Sequence, residues 1–446
     1  MKKVAAFFHN KDVLNRILFT LAIFLVFRIG SAITVPGVTV SSNIWDDTTS
    51  SFSLLNMMGG GALQNFSILA LGVSPYITAQ IIIQLLSMDV LPALTNMSKE
   101  GETGRKKLDV VTRVLSVALA AVQAYGIIVA LKNSNGITLT DDSAWGYTKI
   151  IIFMIAGTMI LTWLGDQITD KGIGNGISVL IFEGIISSLP SQISTAFSSY
   201  LGDKIQTGDA SLILEGAVQI LVYLLALVLI VVFVTFIEKS VRKLPVSHSN
   251  TSQSNELSSQ QASFLPIKVN ASSVMPVIFA SSIMVAPSII ISLFSNGNPP
   301  AWATKIEEVF NYQSMTTMGD SFSFPWGPII YAVLIIAFSY FYAQLEINPE
   351  RIAENFQQSG TYITGIKPGV ETERYISKIL NRITFIGSMA LMVIAMIPVV
   401  LSLTGAVPSS LSLGGTGLII VVGVALEINN QINGILAGQG FAESEM

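Results

Sequence analysis

Apolar runs of roughly the twenty residues that carry a helix across a bilayer recur along the whole of this chain. Inside lipid every backbone N–H and C=O must find its partner within the protein, so such a chain is confined to a bundle of helices. Ten spans are expected, at about 13–34, 73–92, 109–131, 148–165, 173–194, 211–238, 273–295, 327–346, 381–403 and 414–434. With 51% apolar and 12% charged residues over 446 positions, the chain reads as an all-α polytopic membrane protein. The first run, Val13 to Ile33, follows MKKVAAFFHNKD, lacks an A-x-A cleavage site and is too long for the apolar core of a secretory signal. It is read as a retained span.

Charge sets the orientation. With the N-terminus placed in the cytoplasm, nineteen Lys and Arg fall on that side, four (Lys132, Lys149, Lys204 and Lys305) fall outside, and Arg28 lies within the first span. Basic residues stay on the cytoplasmic side, so both termini are expected there. Five spans precede residue 200 and five follow it. An odd number per half starts the second half on the opposite face, which predicts two inverted five-helix halves, 1–200 and 201–446, around a central pore. Two cytoplasmic connections, 239–272 and 347–380, are long where most others are short, and long connections in a compact domain are usually functional.

The chemistry available is narrow. The chain has no cysteine, and its two histidines, His9 and His248, lie outside the expected spans, so no thiolate site, disulfide framework or intramembrane metal centre is expected. GETGRKKL at 101–108 lacks the spacing of a phosphate-cradling loop, so no nucleotide cofactor is expected and energy must come from a partner. The informative stretch is GVSPYITAQIIIQLL, 72–86. Thr78, Gln80 and Gln84 interrupt an apolar segment here, and intramembrane polar groups are costly unless they face a partner or a wet cavity. A half-length, Gly-rich apolar stretch, 59–71, precedes it. Such a pair marks a broken helix lining a pathway.

NFSILALGVSPYITAQIIIQLL at 65–86, EGETGRKKLDVVTR at 100–113, WLGDQITDKGIGNGIS at 163–178, LPIKVNASSVMPVIFASSI at 265–283, NPERIAENFQQSGTYITGIKPG at 348–369 and GGTGLIIVVGVALE at 414–427 closely resemble the bacterial SecY family. The resemblance runs in order along almost the whole chain. It implies the channel subunit that passes unfolded secretory polypeptides across the bacterial plasma membrane and inserts membrane proteins into it.

Residue by residue, the resemblance implies a pore ring of Ile77, Ile81, Ile177, Ile181, Ile278 and Ile420. Such a ring excludes water and ions and offers no directional bond to a passing chain. Ile77 with Ile81, and Ile177 with Ile181, share a helix face at i, i+4. The stretch of about 60–71, with Gly60, Gly61, Ala62, Leu63, Asn65 and Phe66, resembles the family's plug, a half-helix resting on the ring; twelve residues of helix reach only about 18 Å. Thr78, Gln80, Gln84 and Gln123 are expected as polar groups of a lateral gate that admits signal peptides to lipid. Lys243, Lys268, Lys367 and Arg374 are expected to dock the SecA motor ATPase or a ribosome with its nascent chain. SecE and SecG membrane subunits and anionic lipids complete the implied partners.

The chain departs from the family pattern in four places. The loop tip 247–264 has no Lys or Arg, Lys367 stands where an arginine is expected, the end GFAESEM is acidic, and Glu183 replaces a small residue. Electrostatic attraction to ribosomal RNA should be weaker for it. A specialised SecY-like translocase and a secondary solute transporter are the alternatives; an intramembrane enzyme would need a nucleophile–base pair or metal ligands at membrane depth, and only Arg28 and Glu183 are charged within the spans in a way that could serve a transporter.

Overall fold

The structure, a computed structural model, describes residues 11–41, 52–88, 90–133, 136–202, 204–205, 210–248, 264–294, 300–312, 316–318, 322–404 and 409–444. In chain order the helices are α1 (Lys11–Ala32), α2 (Phe52–Met58), α3 (Ser74–Leu86), α4 (Pro92–Lys99), α5 (Glu102–Asn133), α6 (Ala144–Lys171), α7 (Gly176–Phe197), α8 (Ala210–Lys239), α9 (Met275–Phe294), α10 (Ala301–Phe310), α11 (Trp326–Glu346), α12 (Pro349–Gln358), α13 (Val370–Leu403) and α14 (Ser409–Ser444). Among the described residues, eight helices are long and apolar enough to cross a membrane, and two shorter apolar ones, Ser74–Leu86 and Met275–Ile291, bring the total to the ten expected runs. The chain is therefore a multi-pass, all-α membrane protein.

The second expected span, 73–92, is much shorter as a helix. α3 has 13 residues, about 20 Å of rise, against a hydrocarbon core of ~30 Å. Pro75 lies in its first turn, where the missing N–H costs nothing, and the chain leaves the helix at Ser87 before Pro92 opens α4. The chain immediately before α3, from 59 to 73, runs in turns.

Ends of the spans are tied by polar contacts. Arg113 on α5 pairs with Asp166 on α6 at 2.8 Å. At the opposite end of α5, Lys132 meets Asp142 at 2.7 Å and donates to the Tyr147 hydroxyl at 3.1 Å. Beside it a two-stranded sheet pairs β1 (Val38–Val40) with β2 (Ile137–Leu139). Asn175 caps α7 by accepting from the backbone N–H groups of Ile177 and Ser178.

The two long connections, written above as loops, contain a sheet. β3 (Val241–His248) lies between β4 (Phe264–Lys268) and, after a short pair β5 (Thr316–Met318) and β6 (Phe322–Phe324) elsewhere, β7 (Thr361–Ile363). Val241 stands opposite Lys268, and Val246 opposite Ile363. Leu244 and Ile267 turn from this sheet into a small core with Ala343 of α11 and Ile379, Leu380 and Ile383 of α13. The two loops are thus one structure fixed to the helix ends. Most of the Lys- and Arg-free tip, 249–263, lies outside the described residues.

Candidate pore and lateral gate

Isoleucines from four helices converge at the centre of the bundle. Ile77 and Ile81 of α3, Ile181 of α7, Ile278 of α9 and Ile420 of α14 belong to one buried apolar cluster, none of them more than 4% exposed. Ile177 is half-buried and packs against the same cluster. Its Cδ1 lies 2.8 Å from where a Cβ on Gly165 of α6 would stand, so glycine makes room for it. These branched side chains carry no donor or acceptor, so their contact closes space without bonding anything within it.

The predicted plug is built differently from the expectation. A helix was expected over 60–71, but the helical turns are α2, Phe52–Met58, ahead of the glycines, and the chain from Gly59 to Val73 runs in turns. Gly60 and Gly61 sit at φ 65 and 82, a left-handed conformation that ends a helix and that glycine adopts without a Cβ clash. Beyond them the backbone bonds to the end of α1: Val35 N–H donates to the Phe66 carbonyl and Ile68 N–H to the Ile33 carbonyl, both at 3.0 Å. Ala62 joins Met57 in the central cluster, while Leu63 and Phe66 are buried in a second one with Ala120 and Ile127 of α5. Asn65 is exposed and reaches the Ser31 carbonyl at 3.4 Å. Met57, unnoticed in the sequence, presses on α14, its Cε 3.0 Å from where a Cβ on Gly417 would stand.

Four polar residues were expected at a lateral gate, and the structure separates them. Thr78 donates back to the Ser74 carbonyl of its own helix at 3.0 Å. Gln80 is half-buried, and Gln123 is buried with its Oε1 lacking a hydrogen-bond partner. Gln84 alone of the four is seen to bond to another helix: its Oε1 accepts from the Tyr342 hydroxyl of α11 at 2.5 Å. Tyr342 stands among aromatic rings, 4.9 Å from Phe279 of α9 and 5.3 Å from Phe341, with Phe338 6.1 Å from Phe279 in an edge-to-face contact. Sequence reasoning missed Tyr342, because an aromatic residue on an apolar span reads as packing; its partner Gln84 was the only signal.

A SecY family model matches residues 67–429. The SecY protein translocase subunit of Mycoplasma capricolum is 41% identical, covering 98% of this chain and 90% of its own length. That of Bacillus licheniformis is 42% identical, covering 99% and 98%. The chain belongs to the SecY family. The fold agrees: a solved protein-conducting channel superposes with a TM-score of 0.63 at 18% identity, over 95% of this chain and 92% of its own. A SecY structure described for how its plug domain stabilises the closed state gives 0.61 at 16% identity, and Sec61 from a canine ribosome–channel complex gives 0.60 at 18%.

On this SecY-family chain the four expected docking cations are all exposed. Lys243 and Lys268 lie on β3 and β4, and the Lys243 ammonium sits 4.5 Å from the centroid of the Phe264 ring. Lys367 lies in the turn before α13, which Thr372 closes by donating to the Lys367 carbonyl at 2.9 Å; Arg374 is in the first turns of α13. The sheet itself carries Lys243 and Lys268, while Lys367 and Arg374 follow its third strand in the turn and on α13.

Proposed function

We propose that this chain is the channel subunit through which unfolded secretory polypeptides cross the bacterial plasma membrane and from which membrane helices pass into lipid. Both termini face the cytoplasm, and the halves 1–200 and 201–446 are inverted around the pore. The chain performs no chemical step of its own; a SecA-type ATPase or a translating ribosome supplies the energy, and separate SecE and SecG subunits hold the assembly. The observation that carries this reading is the isoleucine cluster drawn from α3, α7, α9 and α14, with the turns of 59–73 lying against it.

In this reading the six isoleucines form the constriction, and a moving polypeptide replaces their mutual contacts without a directional bond to break. The segment from α2 through the turns is the plug. An apolar signal helix enters where α3 and α5 face α9 and α11, displacing the Tyr342–Gln84 bond and re-packing the aromatic rings. Interhelical bonds of this kind are worth about 0.6 to 2 kcal/mol, enough to favour closure and little enough for an inserting helix to overcome. Lys243, Lys268, Lys367 and Arg374 meet the motor or ribosome and anionic lipid headgroups.

The test is ATP-dependent protease protection of a secretory precursor in proteoliposomes holding this chain with its cognate SecE and SecA. Protection that requires both ATP and a functional signal sequence is expected. Its absence beside a working control channel would reject the motor-driven reading and favour a ribosome-dependent, specialised translocase; saturable flux of a small solute would favour a transporter.

A further inference from the structure

The turn at Gly60 is held by a charged side chain. Arg28, in α1 and itself largely exposed, donates from Nη1 to the Gly60 carbonyl at 2.8 Å and to the Ser187 hydroxyl of α7 at 3.3 Å. α7 passes so close here that a Cβ on Gly184 would stand 2.3 Å from the Met58 carbonyl oxygen and 3.0 Å from the Gly60 nitrogen. One residue earlier on α7 comes Glu183, 8% exposed, with Oε2 buried and without a hydrogen-bond partner. Arg28 is the charge that acts on it, yet both of Arg28's hydrogen bonds go to the turn and to Ser187, not to Glu183. A guanidinium is committed to a backbone carbonyl while a buried carboxylate beside it has an oxygen unsatisfied.

That arrangement has a direction. A buried polar group left without a partner costs free energy, more so when charged. With the turn in place, the Gly60 carbonyl and the Ser187 hydroxyl hold Nη1, and with it the orientation of the guanidinium. Once the turn leaves, the guanidinium is released from Gly60 and can satisfy the unpartnered Glu183 oxygen. The exposed stem leaves the side chain free to swing, and a guanidinium pairs two-pronged with a carboxylate as it cannot with one carbonyl.

We propose that Arg28 and Glu183 position the plug by exchanging partners: Arg28 binds the Gly60 carbonyl in the closed channel and the Glu183 carboxylate when the plug is displaced. Glu183, which stands where the family resemblance leads one to expect a small residue, thereby lowers the free energy of the displaced state. The inference rests on the channel reading in taking α2 and the turns to 73 as the plug, and needs no transported substrate to be tested.

The chain has no native cysteine and Ala62 is fully buried, so Ala62→Cys provides a single thiol that reports plug displacement. Its alkylation by a maleimide is followed in the resting, assembled channel in lipid nanodiscs. Glu183→Gln is expected to slow alkylation at least about fivefold, by less than about twofold when Arg28→Gln is also present, and by more than about twofold when Arg28→Lys keeps the charge. A change of under twofold on adding Glu183→Gln alone, or the same factor in the Arg28→Gln background, would overturn the exchange. Precursor transport is a separate assay, so its failure would reject the channel reading and leave the alkylation result to be judged by itself.

Discussion

Where α9 and α11 face α3 and α5, the helices meet through large side chains: Val285 and Ile289 lie in the cluster of Ala120 and Ile127, the rings of Phe279, Phe338 and Tyr342 gather, and Tyr342 donates a hydrogen bond across to Gln84. Where α14 meets α7 and α2, side chains seat directly on glycine. A Cβ on Gly417 would stand 2.9 Å from Ile185 Cγ2, one on Gly174 would stand 3.2 Å from Ile428 Cγ1, and the Gly174 N–H donates to the Gln431 side chain. Bulky side chains can change rotamer and meet new partners, including an incoming helix. A side chain wedged against a glycine has less room to turn. The first seam is suited to parting and the second to holding, so opening should occur on one side of the molecule.

The comparison breaks most readily at the glycine seam. Gly417→Leu should cost about 1–3 kcal/mol by overpacking Ile185 and Met57, read as a lowered midpoint of thermal unfolding and a raised resting ion conductance. An unchanged midpoint and conductance would show that this seam is no tighter than the other. Between the seams, Ile81→Ser combined with Ile181→Ser should raise resting conductance on the order of tenfold in planar bilayers and relax discrimination against defective signal sequences. Were both left unchanged, those isoleucines would not be the seal. At the parting seam, Tyr342→Phe removes one hydroxyl and keeps the ring; transport of precursors with weakened signals should rise about threefold to thirtyfold, the equivalent of one interhelical bond. A fall instead would assign Tyr342 to signal recognition. Smallest is Lys367→Glu, expected to lower ATP-driven transport about twofold to fivefold through an exposed charge, with resting conductance untouched.

Much of this was legible in the sequence. The ten runs announced the helices, and the interruption of an apolar segment by Gln84 pointed to a partner, though not to which one, since Tyr342 lies 258 residues away. The short helix was misplaced for a local reason. The glycines suggest a hinge with a half-helix after it, over about 60–71, whereas the left-handed Gly60 and Gly61 follow the helical turns, which SLLNMM ahead of them forms as α2. The sheet was invisible because Pro245 and Pro266 interrupt the alternating pattern of β3 and β4, and because β7 is only three residues long. Glu183 stood out as an anomaly from the outset; what it faces could be read only once α1 and the turn at Gly60 were in place.

The strand order β4–β3–β7 has a mechanical meaning. β3 leaves α8 after a single residue, β4 leads into α9, and β7 connects α12 to α13, while Leu244 and Ile267 are keyed between α11 and α13. A load placed on either long connection is therefore shared by four long helices, among them both α9 and α11 of the first seam. If the proposed partner grips this frame, one point of contact would work a lever whose short arm is the proposed gate.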